Sequence, residues 1–176
     1  MEVVKSGQQH VQAAVENRGG GSAALEARAD ALLDFVELSR RALGQKQWSA
    51  LNVQQQQELA STLKGLLRAS YLSRLMKDGA GVPSQVKWGD EHIDGNEARV
   101  TSTVEALNDH FAVEYRLCRA DESQPWRVYD VVTEEASLVD VYRDQFRKVI
   151  AEKGYSGLLE TLKARRAKLE RERAKS

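Results

Sequence analysis

Hydrophobic residues in the first half of the chain recur at spacings of three and four. This spacing places them on one face of an α-helix and predicts three helices. The first covers residues 3–15, and the second covers residues 23–43 and ends at Gly44. The third follows Asn52, which forms a capping box with Gln55. We therefore expect the chain to begin with helical structure.

The hydrophobic period changes to two between residues 85 and 132. Residues 97–106 alternate strictly between apolar and polar side chains, as in a strand with one buried and one exposed face. Residues 111–117 alternate in the same way, and residues 85–89 and 126–132 predict a shorter first strand and a fourth strand. Because the connections are too short for parallel crossovers, we predict an antiparallel meander.

Helical spacing returns after Ser137, a predicted N-cap, and Gly154 separates two final helices. The order of elements predicts an α+β fold, with helices packed on one face of a twisted, mostly antiparallel sheet of about four strands. We expect one domain over residues 1–162 and a basic helical tail over residues 163–176. The tail has seven basic and two acidic residues, a net charge of +5, so the rest of the chain carries −5.

Composition excludes several classes of function. Basic and acidic residues both number 26, so no overall positive charge indicates a nucleic-acid partner. The tail alone would suit nucleic acid or anionic lipid headgroups, although its interleaved glutamates favour a solvated helix end. The single Cys118 excludes an internal disulfide and a multi-cysteine metal site. We predict no metal and no cofactor, and we interpret three histidines without partners at zinc-ligand spacing as exposed structural residues: His10, His92 and His110.

Asp130 is the candidate catalytic residue that the sequence offers. It lies in a predicted strand, and a carboxyl group in an apolar cavity under a curved sheet serves as the general base of some small isomerases. The simpler interpretation is a structural carboxylate that accepts hydrogen bonds from backbone amides or from Arg143. We favour this structural role, and we interpret Cys118 as inert because it lies on the exposed side of its strand.

The helices offer more apolar surface than four short strands can cover. These faces either close into a filled core or leave a cavity. Aliphatic and aromatic side chains with few polar atoms would suit an acyl chain better than a polar metabolite. From the residues alone, a filled core is the favoured interpretation.

Residues 126–139 read WRVYDVVTEEASLV, and residues 142–146 read YRDQF. They resemble the pattern W-x-V-Y-D-V-x-x-E-G-x-S-L-V-x-x-Y-R-x-x-F of the MlaC family. Members are periplasmic phospholipid-binding components of the ABC transport systems of toluene tolerance and outer-membrane lipid asymmetry. Weaker matches, such as Leu43-Gly44 with Trp48, extend the resemblance over nearly the whole chain. Glu135 departs from the pattern, because it stands where the family has glycine.

The resemblance implies a deep apolar pocket that takes phospholipid tails and leaves the headgroup in water, and so it favours the cavity over the filled core. It further implies a periplasmic lipid shuttle, not an enzyme, whose signal peptide is absent from this sequence. Its transient partners would be an inner-membrane ABC/MCE complex and an outer-membrane lipoprotein complex. An isomerase-type enzyme with Asp130 as base is the alternative, and an adaptor acting through the tail is a third hypothesis.

The predicted lipid-binding residues come from the apolar helix and strand faces, and about half of them would pack in the core without touching lipid. They are Leu33, Val36, Leu63, Leu67, Tyr71, Leu75, Val100, Val104, Phe111, Val113, Tyr115, Tyr142 and Phe146.

Overall fold

The structure is a computed structural model that describes residues 30–77, 84–106, 109–134 and 136–175. In chain order its elements are α1 (Phe35–Leu43), α2 (Gln45–Ala50), α3 (Val53–Lys77), β1 (Ser84–Asp94), β2 (Glu97–Ala106), β3 (Asp109–Cys118), β4 (Arg127–Thr133), β5 (Ala136–Ser137) and α4 (Leu138–Arg173). The predicted α+β fold is confirmed, with a short fifth strand that the sequence pattern did not predict.

The described residues divide into two compact units. The sheet unit contains residues 30–34 and 84–138, and the helical unit contains residues 35–77 and 139–175. Among these residues, no helix combines the length and the apolar content that crossing a membrane requires. The predicted boundary between domain and tail at residue 163 stays a prediction.

The sheet is antiparallel, with the strand order β1-β2-β3-β4-β5. Consecutive strands are therefore neighbours, and the predicted meander is confirmed. The first strand is longer than the predicted residues 85–89. At Gly89 the register of β1 against β2 shifts, and the Asp90 amide donates a hydrogen bond to Thr101 Oγ1 at 2.8 Å. This register shift is a β-bulge, after which the strand pairs with β2 again. Strand β1 therefore continues beyond Gly89, where the sequence predicts its end.

The predicted helix over residues 23–43 is interrupted at Leu33. Residues 30–32 are helical, but Leu33 forms a parallel bridge with Val128, and the Asp34 amide donates to the Val128 carbonyl at 2.7 Å. The Arg127 guanidinium donates to the carbonyls of Asp30 and Leu33 at 3.0 and 2.6 Å. Because β4 and Arg127 take these backbone groups, the helix ends there and the chain forms a separate helix, α1. The predicted helix over residues 3–15 lies outside the described residues.

Gly44 ends α1, as the sequence predicts. Its φ of 90° lies in the left-handed region, which glycine adopts without strain. The chain then enters α2, a six-residue helix that the hydrophobic pattern does not predict. Trp48 lies in α2 and is buried, so this short helix brings a large aromatic side chain into the interior.

The capping box predicted at the start of α3 is confirmed. Asn52 Oδ1 accepts a hydrogen bond from the Gln55 amide at 2.9 Å, and Gln55 Oε1 accepts one from the Asn52 amide at 3.0 Å. We expect Asn52→Ala to lower the free energy of unfolding by about 1 kcal/mol, because it leaves an amide of the first turn without its partner. Denaturant unfolding measures this loss. Gln57→Ala, at an exposed position of the same helix, is the control, and an equal loss in both variants would contradict the role of the cap.

The helical unit is held by contacts among α1, α3 and α4. The buried stripe of α3 contains Leu59, Leu63 and Leu66, at the predicted spacing of three and four. The Arg143 guanidinium of α4 donates to the Arg41 carbonyl of α1 at 3.2 Å. Gly154 has φ 67° and ψ −172°, which breaks the helical conformation within α4 at the predicted position. The break therefore divides α4 into two helical segments.

We expect Tyr155 to ionise late in an alkaline titration. Burial and the negative charge of Glu58 raise its pKa to about 12, and its hydroxyl donates to the Gln55 carbonyl at 2.7 Å. An unfolded tyrosine ionises near pH 10. The folded state therefore binds more protons between pH 10 and about 12, and stability falls as the pH rises through this window. Tyrosinate absorbance reports the ionisation, and the unfolding midpoint of Tyr155→Phe should decline less with pH than that of the wild type. Equal declines would contradict the assignment.

Candidate functional site

One face of the sheet carries the apolar side chains of β2 and β3. The register pairs Val100 with Tyr115, Ser102 with Val113, and Val104 with Phe111. Directly paired residues of antiparallel strands project to the same side, and successive residues alternate. This apolar face therefore brings together five of the predicted lipid-binding residues: Val100, Val104, Phe111, Val113 and Tyr115.

A bulge in β4 decides which of its side chains join the apolar face. Asp130 pairs with Arg116, but Val128 pairs with Leu117, so Tyr129 is an extra residue in β4. Val128 and Val131 therefore both lie on the apolar face, although they are three positions apart. A strictly alternating pattern does not predict this arrangement, because the bulge reverses the alternation at Tyr129.

Burial divides the apolar face into two parts. At one end a buried cluster contains Ala98, Val100, Leu117 and Val128. Leu33, Trp88 and Tyr115 pack against this cluster, and the rings of Trp88 and Tyr115 lie 6.1 Å apart between centroids. Val104 and Phe111, which pair near the other end, are only half-buried. The first part is core, and the second presents apolar surface that the protein leaves partly exposed.

The apolar face contains two neutral hydroxyl groups in its middle. Ser102 is 3% exposed, and its hydroxyl makes no hydrogen bond of normal geometry with the described residues. Burial raises the pKa of the Tyr115 hydroxyl, and the neighbouring Ser102 hydroxyl partly offsets this shift. Neither group ionises near neutral pH, so this region is compatible with uncharged hydrocarbon.

Asp130 lies on the opposite face of the sheet, where it is 1% exposed. Its Oδ2 accepts hydrogen bonds from Ser137 Oγ at 2.7 Å and from Arg116 Nη1 at 3.2 Å. Of the two kinds of partner that the sequence suggested, backbone amides or Arg143, the second is wrong, since Arg143 binds Asp140 and the Arg41 carbonyl in the helical unit. The β4 bulge explains the change of partner, because it places Asp130 directly across from Arg116.

Asp130 belongs to a small network of charged side chains centred on Arg116. Arg116 Nε also donates to Glu114 Oε1 at 2.8 Å. The hydrogen bond with Glu114, followed by the charge of Asp130, raises the pKa of Arg116 despite its partial burial. A carboxylate that accepts from a guanidinium and a hydroxyl, on the side away from the apolar face, has the surroundings of a structural group. Nothing in this arrangement supports Asp130 as a general base in an apolar cavity.

The remaining predicted residues, apart from Leu33, lie in the helical unit. Three are buried: Leu63, Tyr142 and Phe146. The rings of Tyr142 and Phe146 are 5.7 Å apart between centroids. Leu67 is half-buried, whereas Val36 is 53% exposed. The side chains of Tyr71 and Leu75 lie outside the described residues. The structure thus gathers one set of predicted residues on the sheet and a second set among the helices.

In the part of the chain that the structure describes, no group of three His, Cys, Asp or Glu residues could hold a metal ion. His92 and His110 are exposed, and Cys118 is half-buried at the end of β3. His10 lies outside the described residues.

The family model of the MlaC protein matches residues 1–164. The chain belongs to the MlaC family. The resemblance found in the sequence is thereby confirmed, and the match covers α1 to α3, the sheet, the signature block over residues 126–146 and α4 as far as residue 164. No relative was found among curated proteins.

Among solved structures, this chain is similar to the phospholipid-binding protein from Ralstonia solanacearum, which was solved in complex with a phospholipid. The two chains are 27% identical, and the similarity covers 96% of this chain and 97% of that one, with a TM-score of 0.82. This likeness confirms the predicted fold class.

The MlaC signature of this chain spans β4, β5 and the start of α4. The departure from the family pattern at Glu135 lies outside the described residues. The preceding Glu134 has a φ of 50°, in the left-handed region that favours glycine. The tight turn between β4 and β5 therefore places a non-glycine residue in a costly conformation, one position before the expected glycine.

Proposed function

We propose that this member of the MlaC family binds phospholipid by sheltering its acyl chains against the apolar face of the sheet. The observation that carries the proposal is the likeness, over nearly the whole chain, to a protein solved with a phospholipid. The membership in the MlaC family agrees with it.

The half-buried end of the apolar face offers a physical reason for this binding. Each methylene that leaves water contributes about 0.8 kcal/mol, so two acyl chains supply a large driving force even when only part of each is covered. Val104 and Phe111 project to this side and are only half-buried. They are the proposed acyl-chain contacts in the sheet unit that are easiest to test without disturbing the core.

The other predicted contacts are also proposed to bind lipid, but substitutions at these positions have a different expected result. Val100 lies in the buried cluster of the sheet unit, and Phe146 is buried in the helical unit. A substitution at either position is expected to change stability as well as lipid binding, because a cavity in a packed core costs free energy. In such variants, a loss of lipid binding cannot be separated from a loss of stability.

We further propose that the protein works as a periplasmic shuttle, which receives lipid from one membrane complex and delivers it to another. The proposed partners are an inner-membrane ABC/MCE complex and an outer-membrane lipoprotein complex. Binding that rests mainly on hydrocarbon burial requires few polar contacts with the headgroup, which would suit a carrier that accepts phospholipids with different headgroups.

Native mass spectrometry of the purified protein tests the proposed function. We expect a species heavier than the polypeptide by the mass of a phospholipid, and lipid extraction should identify a diacyl phospholipid. Protein stripped of lipid should then take up phospholipid from vesicles. A bare polypeptide mass, together with no uptake from vesicles, would contradict the proposal.

A further inference from the structure

The basic tail, which we define as residues 163–175, extends α4 beyond its buried part. Leu162 is buried, whereas every tail residue except Leu169 is exposed. The tail is helical up to Arg173. A helical segment that is polar on all sides gains little stability from burial. Most of the tail also lies beyond residue 164, where the family match ends. The tail therefore contributes little to the core of the helical unit.

Helix α3 holds the start of the basic tail in place. Lys163 Nζ lies 2.7 Å from Glu58 Oε1. The Arg166 side chain packs closely against Gly65 of α3, where an added Cβ would lie 2.5 Å from Arg166 Nη1. These two contacts attach the first turn of the tail to a long helix of the same unit. The cations that follow are consequently carried on an anchored helix.

The cations of the basic tail outnumber its carboxylates. Glu170 pairs with Arg166 at 2.8 Å, and Glu172 lies 3.9 Å from Lys168. Arg165 Nη1 donates to the neutral amide oxygen of Gln145 at 3.0 Å. Among the described residues, four tail cations form no ion pair: Arg165, Arg171, Arg173 and Lys175. Their positive charge is available to an external partner.

The four unpaired cations do not converge on one point. At about 100° per residue, Arg165, Arg171 and Arg173 lie at three different positions around the helix, and Lys175 follows its end at Arg173. A clamp for a single phosphate requires guanidinium groups directed at the same oxygen atoms. A flat surface with many negative charges does not require convergent cations. Some of the cations face such a surface whichever way the helix is turned about its axis.

We propose that the basic tail docks this protein onto anionic lipid bilayers. The negative surface potential of such a bilayer attracts juxtaposed Lys and Arg side chains, each of which strengthens binding by about fivefold. This docking goes beyond the proposed acyl-chain binding, since it engages the headgroups of a membrane surface. It brings the carrier to the membrane with which lipid is exchanged.

Vesicle sedimentation tests the docking, with vesicles of pure phosphatidylcholine and vesicles that contain phosphatidylglycerol. The test variant combines Arg165→Gln, Arg171→Gln, Arg173→Gln and Lys175→Gln. The control variant combines Lys46→Gln, Arg99→Gln, Arg147→Gln and Lys148→Gln, four exposed positions outside the tail. Both variants lose four positive charges, so a difference between them reports the location of the charge and not its total.

We expect the wild type and the control to bind phosphatidylglycerol vesicles much more strongly than phosphatidylcholine vesicles. The tail variant should bind the anionic vesicles at least about tenfold more weakly, and high salt should remove the preference of the wild type because it screens the attraction. Equal binding of the wild type to both vesicles, or equal losses in the two variants, would overturn the docking. Lipid occupancy, measured on the same proteins by mass spectrometry, should be unchanged in the tail variant, and its loss in all proteins would instead count against the proposed function.

Discussion

Phe111→Asp is expected to lower the affinity for phospholipid at least about tenfold, which corresponds to about 1.4 kcal/mol. Phe111 lies on the apolar face and is half-buried. A carboxylate at this position keeps its charge only in water, so covering it with an acyl chain would require the loss of its hydration. The acyl chain therefore loses its favourable surface and meets a group that resists desolvation.

Ala112→Asp is the matched control, because it introduces the same charge at the next residue of β3. Ala112 is exposed and projects to the opposite side of the sheet. Equilibrium uptake of a fluorescent diacyl phospholipid by each lipid-free variant measures the effect, and circular dichroism checks the fold. Equal affinities of the two variants, both close to the wild type, would show that the acyl chains do not lie on the apolar face near Phe111.

Arg116→Met is expected to lower the free energy of unfolding by about 2–3 kcal/mol. Methionine keeps an unbranched apolar stem but removes the cation next to Asp130, which is 1% exposed. Loss of one partner of a fully buried ion pair generally lowers the free energy of unfolding by more than this amount, since it leaves an uncompensated charge in the interior. Arg116 is 31% exposed, so solvent screening reduces the contribution of the pair.

The control for this prediction is Arg99→Met on β2, directly paired with Arg116 in the sheet register. Arg99 is exposed, and its replacement should change the free energy of unfolding by less than about 0.5 kcal/mol. Denaturant unfolding of both variants gives the comparison. A loss at Arg116 no larger than the loss at Arg99 would mean that the Asp130 carboxylate obtains its stability from Ser137 and other neighbours.

The central strands could be predicted because one of their faces is buried. Residues 97–106 alternate between apolar and polar side chains, and β2 has the predicted bounds. A shift by one residue would move every apolar side chain of such a strand into water, so burial forces the pattern into the sequence. The helix cap at Asn52 was predictable for a similar reason, since both of its hydrogen bonds are local.

The wrong predictions arise where distant residues act on the backbone. The break at Leu33 depends on Arg127 and Val128, which lie more than ninety positions later in the chain. The guanidinium that binds Asp130 depends on the bulge at Tyr129, which places Arg116, and not the suggested Arg143, next to this carboxylate. Neither feature produces a periodic signal in the local sequence, and a helical or alternating pattern continues through both.

The sequence also could not separate core residues from residues with partly exposed apolar surface. Val100 and Phe111 follow the same alternation on the same face of the sheet, yet Val100 belongs to the buried cluster and Phe111 is half-buried. The difference comes from the neighbours that cover each position in the folded chain. The resemblance to the MlaC family supplied the functional hypothesis, because its motif combines residues whose separate patterns indicate only strand and helix.

Photochemical crosslinking of a bound lipid tests most directly whether the apolar face holds the acyl chains. The lipid is a diacyl phospholipid with a diazirine group on one acyl chain, loaded into the lipid-free protein and activated by light. We expect labelled peptides in which Val104 and Phe111 carry the adduct, while the adjacent Thr103 and Ala112, which project to the opposite side, remain unlabelled. Labelling of Thr103 and Ala112 instead, or adducts confined to elements outside the sheet, would contradict binding on the apolar face.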